Sequence, residues 1–111
     1  MPSIPLWIWL RRKPRRAPKK DDNHHAIVKI FIQLGAHCED VSMKEEFCDV
    51  MVLYRKQVVM VEIKDGAKVL SKRKLTKGEI KFRDRWKANG GNWALVETEE
   101  DAINLLTGLS R

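Results

Sequence analysis

The sequence predicts an α/β domain in which a mixed β-sheet is flanked by helices, with its elements in the order α-β-β-β-α-β-α. Three observations predict this fold class. Apolar residues recur at helical spacing near residue 30, two runs rich in β-branched residues follow one another in 49–64, and a helix, a strand and a helix are indicated in 76–106. The 111 residues of the chain suit one domain.

The first helix is predicted from an apolar stripe at positions i, i+3, i+4 and i+7, which Gly35 ends. The stripe consists of Ile27, Ile30, Phe31 and Leu34. Residues 36–41 are predicted to form an edge strand, and the charged residues 43–46 form the connection that follows it.

A β-hairpin is predicted from two adjacent strand-like runs, 49–54 and 57–64. A two-residue loop at Arg55-Lys56 pairs Tyr54 with Gln57, so the numbers of opposite residues sum to 111, and a four-residue loop keeps the same sum. Arg-Lys is not a favoured pair for a tight turn, so both loop lengths stay open.

The second half of the chain predicts a helix, a strand and a helix. Thr76 followed by Glu79 matches a capping box, which starts a helix that runs to about residue 88 and ends at 89–91. A strand is predicted over 93–97, and Thr98 caps the last helix. The strand between two helices completes the α/β pattern.

The positive charge of the chain is concentrated near its start. Lys and Arg number 22 against 15 Asp and Glu, yet residues 11–20 hold seven basic residues and no acid. All four prolines also lie in 1–20, which disfavours a helix there. We therefore predict an extended basic N-terminal arm over 1–21 and a folded domain over 22–111, and the arm favours a polyanionic partner.

The sequence also argues against a membrane-spanning, a secreted and a disulfide-bonded protein. The early apolar run 4–10 is too short to cross a bilayer, and basic residues follow it instead of preceding it as in a secretory signal. Cys38 and Cys48 belong to no C-x-x-C motif, so a reduced pair is the simplest interpretation. The chain is expected to be cytoplasmic, with no membrane partner.

Two carboxylates and a lysine are predicted to meet in the hairpin. Strand alternation places Glu62 and Lys64 on one face, and the register places Asp49 opposite Glu62. Facing carboxylates destabilise a sheet unless a cation lies between them, and Mg²⁺ binds one or two carboxylates together with a substrate phosphate. This pattern indicates phosphodiester hydrolysis, with Lys64 orienting water or balancing charge. A salt-bridged, solvated surface is the alternative.

The motif extends beyond this triad. Asp49 before a hydrophobic strand, the run Glu62-Ile63-Lys64-Asp65-Gly66, and Leu75-Thr76 with Phe82 and Trp86 resemble the PD-(D/E)XK nuclease superfamily, in particular the small phage and bacterial VRR-NUC and Holliday-junction-resolvase-like members. The resemblance covers 22–106. It implies a restriction-endonuclease-like core within a nuclease-like domain of a bacterial or phage-infected cell.

The resemblance also implies the roles of the site residues. Asp49 and Glu62 are expected to bind Mg²⁺ or Mn²⁺ with the carbonyl of Ile63 as a third ligand, and Lys64 is the expected catalytic lysine. Zinc is not favoured, because the histidines and cysteines show no recognised ligand spacing.

Three positions depart from the family pattern. Cys48 replaces the proline before the first aspartate, and Ala26 aligns with an acidic residue of the first helix. Glu39, Glu45 or Glu46 are the candidates to substitute for that acid. Glu79 replaces a frequent glutamine, and its role stays open between a metal or water contact and the capping box alone.

The leading hypothesis is a metal-dependent DNA endonuclease that acts on branched or structured DNA, working as a homodimer with the segment 7–10 as a contact. Phosphate contacts are expected from the arm and from the loop before the second helix. These residues are Arg11, Arg12, Lys13, Arg15, Arg16, Lys68, Lys72, Arg73 and Lys74. The alternatives are a nucleic-acid-binding module that no longer cleaves and an adaptor whose basic arm binds an acidic partner or RNA.

Overall fold

The computed structural model describes residues 20–110, and within them the predicted order of elements is confirmed. The first half contains α1 (His24–Gln33), β1 (His37–Asp40), β2 (Val50–Tyr54) and β3 (Gln57–Ile63). The second half contains a 3₁₀ turn (Leu70–Lys72), α2 (Lys77–Ala88), β4 (Asn92–Val96) and α3 (Glu99–Leu109). Most of the predicted arm lies outside the described residues. This part includes the segment 7–10 and the five basic residues of the arm that are expected to contact phosphate, Arg11, Arg12, Lys13, Arg15 and Arg16.

The four strands form one mixed sheet in the order β1-β2-β3-β4. β1, β2 and β3 pair antiparallel, whereas β4 runs parallel to β3 and is reached through α2. A parallel neighbour requires such a crossover connection. The carboxyl ends of β3 and β4 therefore lie at the same edge of the sheet.

The hairpin between β2 and β3 has the shorter of the two expected loops. Arg55 and Lys56 both take a positive φ, of 47° and 66°, as the central residues of a type I′ turn do. Val50 pairs with Val61 and Tyr54 with Gln57, which confirms the predicted register.

One detail of the hairpin prediction is wrong. The ladder ends at the Val50–Val61 pair, so Asp49 lies one residue before β2 and does not pair directly with Glu62. The backbone N–H of Asp49 donates instead to the carbonyl of Val61, at 3.1 Å. The chain leaves the sheet at this point to enter the 42–49 loop.

The hydrophobic core lies between one face of the sheet and the pair α1 and α3. Alternate residues of β3, Val59, Val61 and Ile63, face this core with Phe31 of α1 and Leu106 of α3. Burial of this apolar surface is the main force that stabilises the domain. Glu62 alternates with these residues and so points to the opposite face, which carries the candidate site.

The second helix, α2, contacts that opposite face through aromatic side chains. The Phe82 ring meets Phe47 edge-on at 4.8 Å and stacks on Trp86 at 5.7 Å, measured between ring centroids. The indole N–H of Trp86 donates to the carbonyl of Asn92 at 2.8 Å. Within residues 20–110 no helix combines the length and the apolar character that a membrane crossing requires.

Candidate metal and nucleic-acid site

A cavity of about 680 Å³ opens beside the carboxyl end of β3. Its walls come from the start of α1, the 42–49 loop, β3 and the first turn of α2. The side chains that carry charge in this lining are Asp21, Lys44, Glu45, Glu46, Asp49, Glu62, Lys64 and Glu79. The three residues of the predicted triad therefore share one cavity.

Glu62 and Lys64 project into the cavity from the end of β3, as strand alternation predicts. The ammonium of Lys64 lies 3.9 Å from Oε1 of Glu62. It lies closer to Glu79, at 3.0 Å from Oε1 and 3.2 Å from Oε2. Lys64 thus bridges a carboxylate of β3 and a carboxylate of α2.

Asp49 reaches the same place from the 42–49 loop. Its Oδ2 accepts a hydrogen bond from the backbone N–H of Ile63 at 2.8 Å. This bond positions the Asp49 carboxylate beside the end of β3 although the β-ladder has already ended. The side chain of Ile63 is buried in the core, and Ile63 is not among the residues that line the cavity.

The carboxyl of Glu62 is only 3% exposed. Burial raises its pKa well above neutrality, and the hydrogen bond to Glu79 and the nearby charge of Asp49 raise the pKa further. A buried carboxyl surrounded by other carboxylates favours its protonated form when no cation is nearby. A bound cation would offset the free-energy cost of ionising Glu62 in this position.

Glu79 has two contacts at once, one within the predicted capping box and one with Lys64. It completes the capping box, because its side chain accepts from the N–H of Thr76 at 2.7 Å while its own N–H donates to Oγ1 of Thr76 at 3.2 Å. The same carboxylate binds Lys64. Burial alone would raise the pKa of Glu79, but hydrogen bonds from Glu62, Thr76 and Lys64 hold it to about 2.

Lys64 remains protonated in this surrounding. Burial lowers the pKa of Lys64, but the hydrogen bond and charge of Glu79 outweigh it and leave the pKa raised. At neutral pH Lys64 is therefore a cation and a hydrogen-bond donor, and it cannot take a proton from water.

Two site residues before α1 escaped the sequence analysis. Asp21 lines the cavity, five positions before Ala26, and its charge contributes to the raised pKa of Lys64. Asn23 donates through Nδ2 to the carbonyls of Lys64 and Glu97, each at 3.0 Å. Polar residues just before a helix normally indicate a helix cap. No local pattern therefore reveals that Asp21 lines the cavity or that Asn23 contacts the ends of β3 and β4.

The three glutamates proposed to replace the missing acid differ in position. Glu45 and Glu46 line the cavity, whereas Glu39 lies on β1 and accepts from His37 at 2.7 Å. Asp21 lines the same cavity as Glu45, Glu46 and Glu62.

The basic residues of the 65–76 loop separate into two kinds. Arg73 donates to Glu97 at 2.9 Å, and Lys68 lies 3.5 Å from Asp21. Lys72 and Lys74 are exposed. The loop therefore uses two of its cations for internal ion pairs and presents the other two to solvent.

Among the described residues, no group of three or more His, Cys, Asp or Glu side chains is arranged to hold one metal ion. The predicted site for a hard ion contains only two carboxylates and a carbonyl, which is the small protein contribution that Mg²⁺ uses when waters and phosphate complete its shell.

Comparison with known proteins identifies the fold. No protein-family profile and no curated protein matches the chain. A solved structure described as a VRR_NUC domain matches with a TM-score of 0.59 and 20% sequence identity, over 75% of this chain and 92% of that one. The chain therefore has a VRR-NUC-like fold, which confirms the predicted restriction-endonuclease-like α/β architecture.

Proposed function

We propose that this protein is a Mg²⁺- or Mn²⁺-dependent DNA endonuclease that hydrolyses phosphodiester bonds in branched or structured DNA. The observation that carries the proposal is the convergence of Asp49, Glu62 and Lys64 in one cavity, from the loop before β2 and from the end of β3. The VRR-NUC-like fold supports a nuclease in general terms.

The residues of the cavity fit a divalent cation. Asp49 and Glu62 would hold it with the carbonyl of Ile63, and the ion would compensate the charge that the buried Glu62 carboxyl carries once it loses its proton. When bound, the ion would polarise the phosphate and increase the acidity of a bound water.

The side chains of the cavity have distinct tasks in this proposal. Lys64 is a fixed cation and donor, so it orients a water molecule and stabilises the negative charge that develops on the phosphate. Glu79 sets the direction of Lys64 through its two short contacts. Asn23 holds the backbone of Lys64.

DNA is held through its phosphates in this proposal. Lys68, Lys72, Arg73 and Lys74 lie on the loop that connects the cavity wall to α2, and the arm adds Arg11, Arg12, Lys13, Arg15 and Arg16. Such contacts position DNA without reading its sequence. A homodimer would present two cavities to the two strands of a junction, in the cytoplasm of a bacterial or phage-infected cell.

A second function is a nucleic-acid-binding module that does not cleave. One observation favours it: Glu79 forms an ion pair with Lys64 at 3.0 Å, whereas a glutamine at this position would carry no opposing charge. In that case the cavity would bind DNA without a productive lysine.

The test is cleavage of four-way junction, flap, duplex and single-stranded DNA with Mg²⁺ or Mn²⁺. Wild type is expected to cut the junction, and Glu62→Ala and Lys64→Ala to abolish cutting. Lys29→Ala is the matched control, because Lys29 is exposed on α1 away from the cavity lining. Cutting that survives both site substitutions contradicts the proposal, and tight binding without cutting by wild type supports the second function.

A further inference from the structure

The loop that joins β3 to α2 carries two neighbouring apolar side chains at its tip. Val69 is 67% exposed and Leu70 is 73% exposed, the two highest values among the large exposed hydrophobic residues of the described chain. Leaving adjacent apolar side chains in water forgoes the free energy that their burial would contribute. A pair of this kind indicates a contact surface.

The exposure of this pair is imposed by the structure of the loop. The N–H groups of Lys72 and Arg73 donate to the carbonyls of Val69 and Leu70, at 2.9 and 3.0 Å, and form the 3₁₀ turn. The turn is fastened to the end of β4 through the ion pair of Arg73 with Glu97. The apolar tip is therefore held outward.

The base of the loop is fastened at the same place. The N–H of Gly66 donates to the carbonyl of Glu97 at 3.0 Å, and a Cβ at Gly66 would lie only 2.9 Å from that oxygen. Lys64 before the loop and Thr76 after it both line the cavity. The loop thus starts and ends at the candidate active site.

The charge around the tip specifies the chemistry of its partner. Lys68 and Lys72 flank the apolar pair along the chain and Lys74 follows, with Lys72 and Lys74 exposed, whereas Asp65 is the single acid between residues 65 and 75. Apolar side chains flanked by cations suit nucleic acid, where cations contact phosphates and apolar side chains enter between base pairs. A symmetric contact with the same loop of a second copy would bring like charges together.

We propose that Val69 and Leu70 form a wedge that unstacks a base step of DNA beside the cleavage position. The proposal rests on the proposed function, since it assumes that the cavity receives DNA. Leu70 would enter between two base pairs while the lysines hold the phosphates on either side. Unstacking would give the chain a preference for junctions and other DNA in which stacking is already weak.

The test is fluorescence of 2-aminopurine placed at successive positions around the centre of a four-way junction, with Ca²⁺ in place of Mg²⁺. Wild type is expected to raise the fluorescence at one step, and Leu70→Ser to lose that rise. Ile32→Ser is the matched control, because Ile32 is also an exposed apolar residue but lies near the end of α1. Both substitutions affect exposed side chains, so both proteins should fold.

A cleavage assay with Mg²⁺ provides the second readout. Leu70→Ser is expected to cut the paired junction about tenfold more slowly than wild type, since the side chain that would help to open the stacked step is gone. A junction with a mismatch at that step should restore the rate.

The outcomes separate the wedge from the nuclease activity. The wedge is overturned if wild type raises no fluorescence, or if Leu70→Ser keeps the rise while cleavage continues. Unstacking that depends on Leu70 in a protein that cuts nothing supports the wedge and contradicts the endonuclease. A lower mass of Leu70→Ser in light scattering assigns the tip to a second copy and overturns the wedge.

Discussion

Replacing Glu62 by glutamine is expected to stabilise the metal-free protein while removing its activity. The carboxyl is almost fully buried beside Asp49 and Glu79, and its pKa in the folded chain lies well above the ordinary value of 4.5. Glutamine has the same shape, carries no charge and can donate to Glu79 as the protonated carboxyl does. Folding of the variant therefore does not require uptake of a proton.

The magnitude follows from the pKa difference. A carboxyl whose folded pKa is raised contributes stability that is fully present below 4.5 and is lost as the pH rises toward the folded pKa. An assay at pH 7 lies about 2.5 pH units above the ordinary carboxyl pKa of 4.5, and each unit changes the free energy of unfolding by about 1.4 kcal/mol. Glu62→Gln should thus gain up to about 3.5 kcal/mol in free energy of unfolding at pH 7 relative to wild type, and almost nothing at pH 4.5.

The assay is urea unfolding between pH 4.5 and 8, monitored by tryptophan fluorescence, with a chelator present to remove divalent metal ions. Wild type should lose stability relative to Glu62→Gln as the pH rises, while Glu100→Gln, at an exposed position of α3, should keep the wild-type slope. Mn²⁺ should then stabilise wild type but not Glu62→Gln, since binding to the folded state alone raises stability. Equal pH slopes for wild type and Glu62→Gln would refute the reasoning.

Three further predictions concern stability and are checked by the same unfolding measurement. Asn23→Ala should lose about 1–3 kcal/mol, because two strand-end carbonyls lose their donor; an unchanged midpoint would contradict this clamp. Gly91→Ala should lose about 1–3 kcal/mol, since the new Cβ would lie 2.2 Å from Nε1 of Trp86, whereas Gly108→Ala, with open space in α3, should gain about 0.5–1 kcal/mol. Arg73→Ala should lose about 1 kcal/mol through its ion pair with Glu97, and a loss confined to DNA affinity would assign Arg73 to phosphate binding instead.

The elements of the fold were predictable because their signals are short-range. The capping box at Thr76 and Glu79 is a contact between residues three apart, and it is present as predicted. The hairpin register follows from a two-residue turn that fixes every later pair. Its end at Val50 was not predictable, because the departure of Asp49 from the ladder depends on its contact with Ile63.

The candidate site was predictable only in part. The sharing of one face by Glu62 and Lys64 follows from strand alternation, and their common cavity with Asp49 follows from the hairpin. The sequence singles out Glu79 because it stands where the family often has a glutamine. Its contact with Lys64, however, depends on how α2 packs on the sheet. Asp21 carried no local signal.

From its sequence alone this chain determines which segments are helices and strands, how β2 pairs with β3, and where its cationic excess lies. Tertiary structure alone decides which distant polar groups meet: the side-chain amide of Asn23 donates to the backbone carbonyl of Glu97, 74 positions further along the chain. Periodicity and turn chemistry act over a few residues, whereas a cavity is formed by segments that meet only when the core has packed. The exposure of Leu70 is also decided by tertiary structure. It depends on the ion pair that joins Arg73 to Glu97, just after β4.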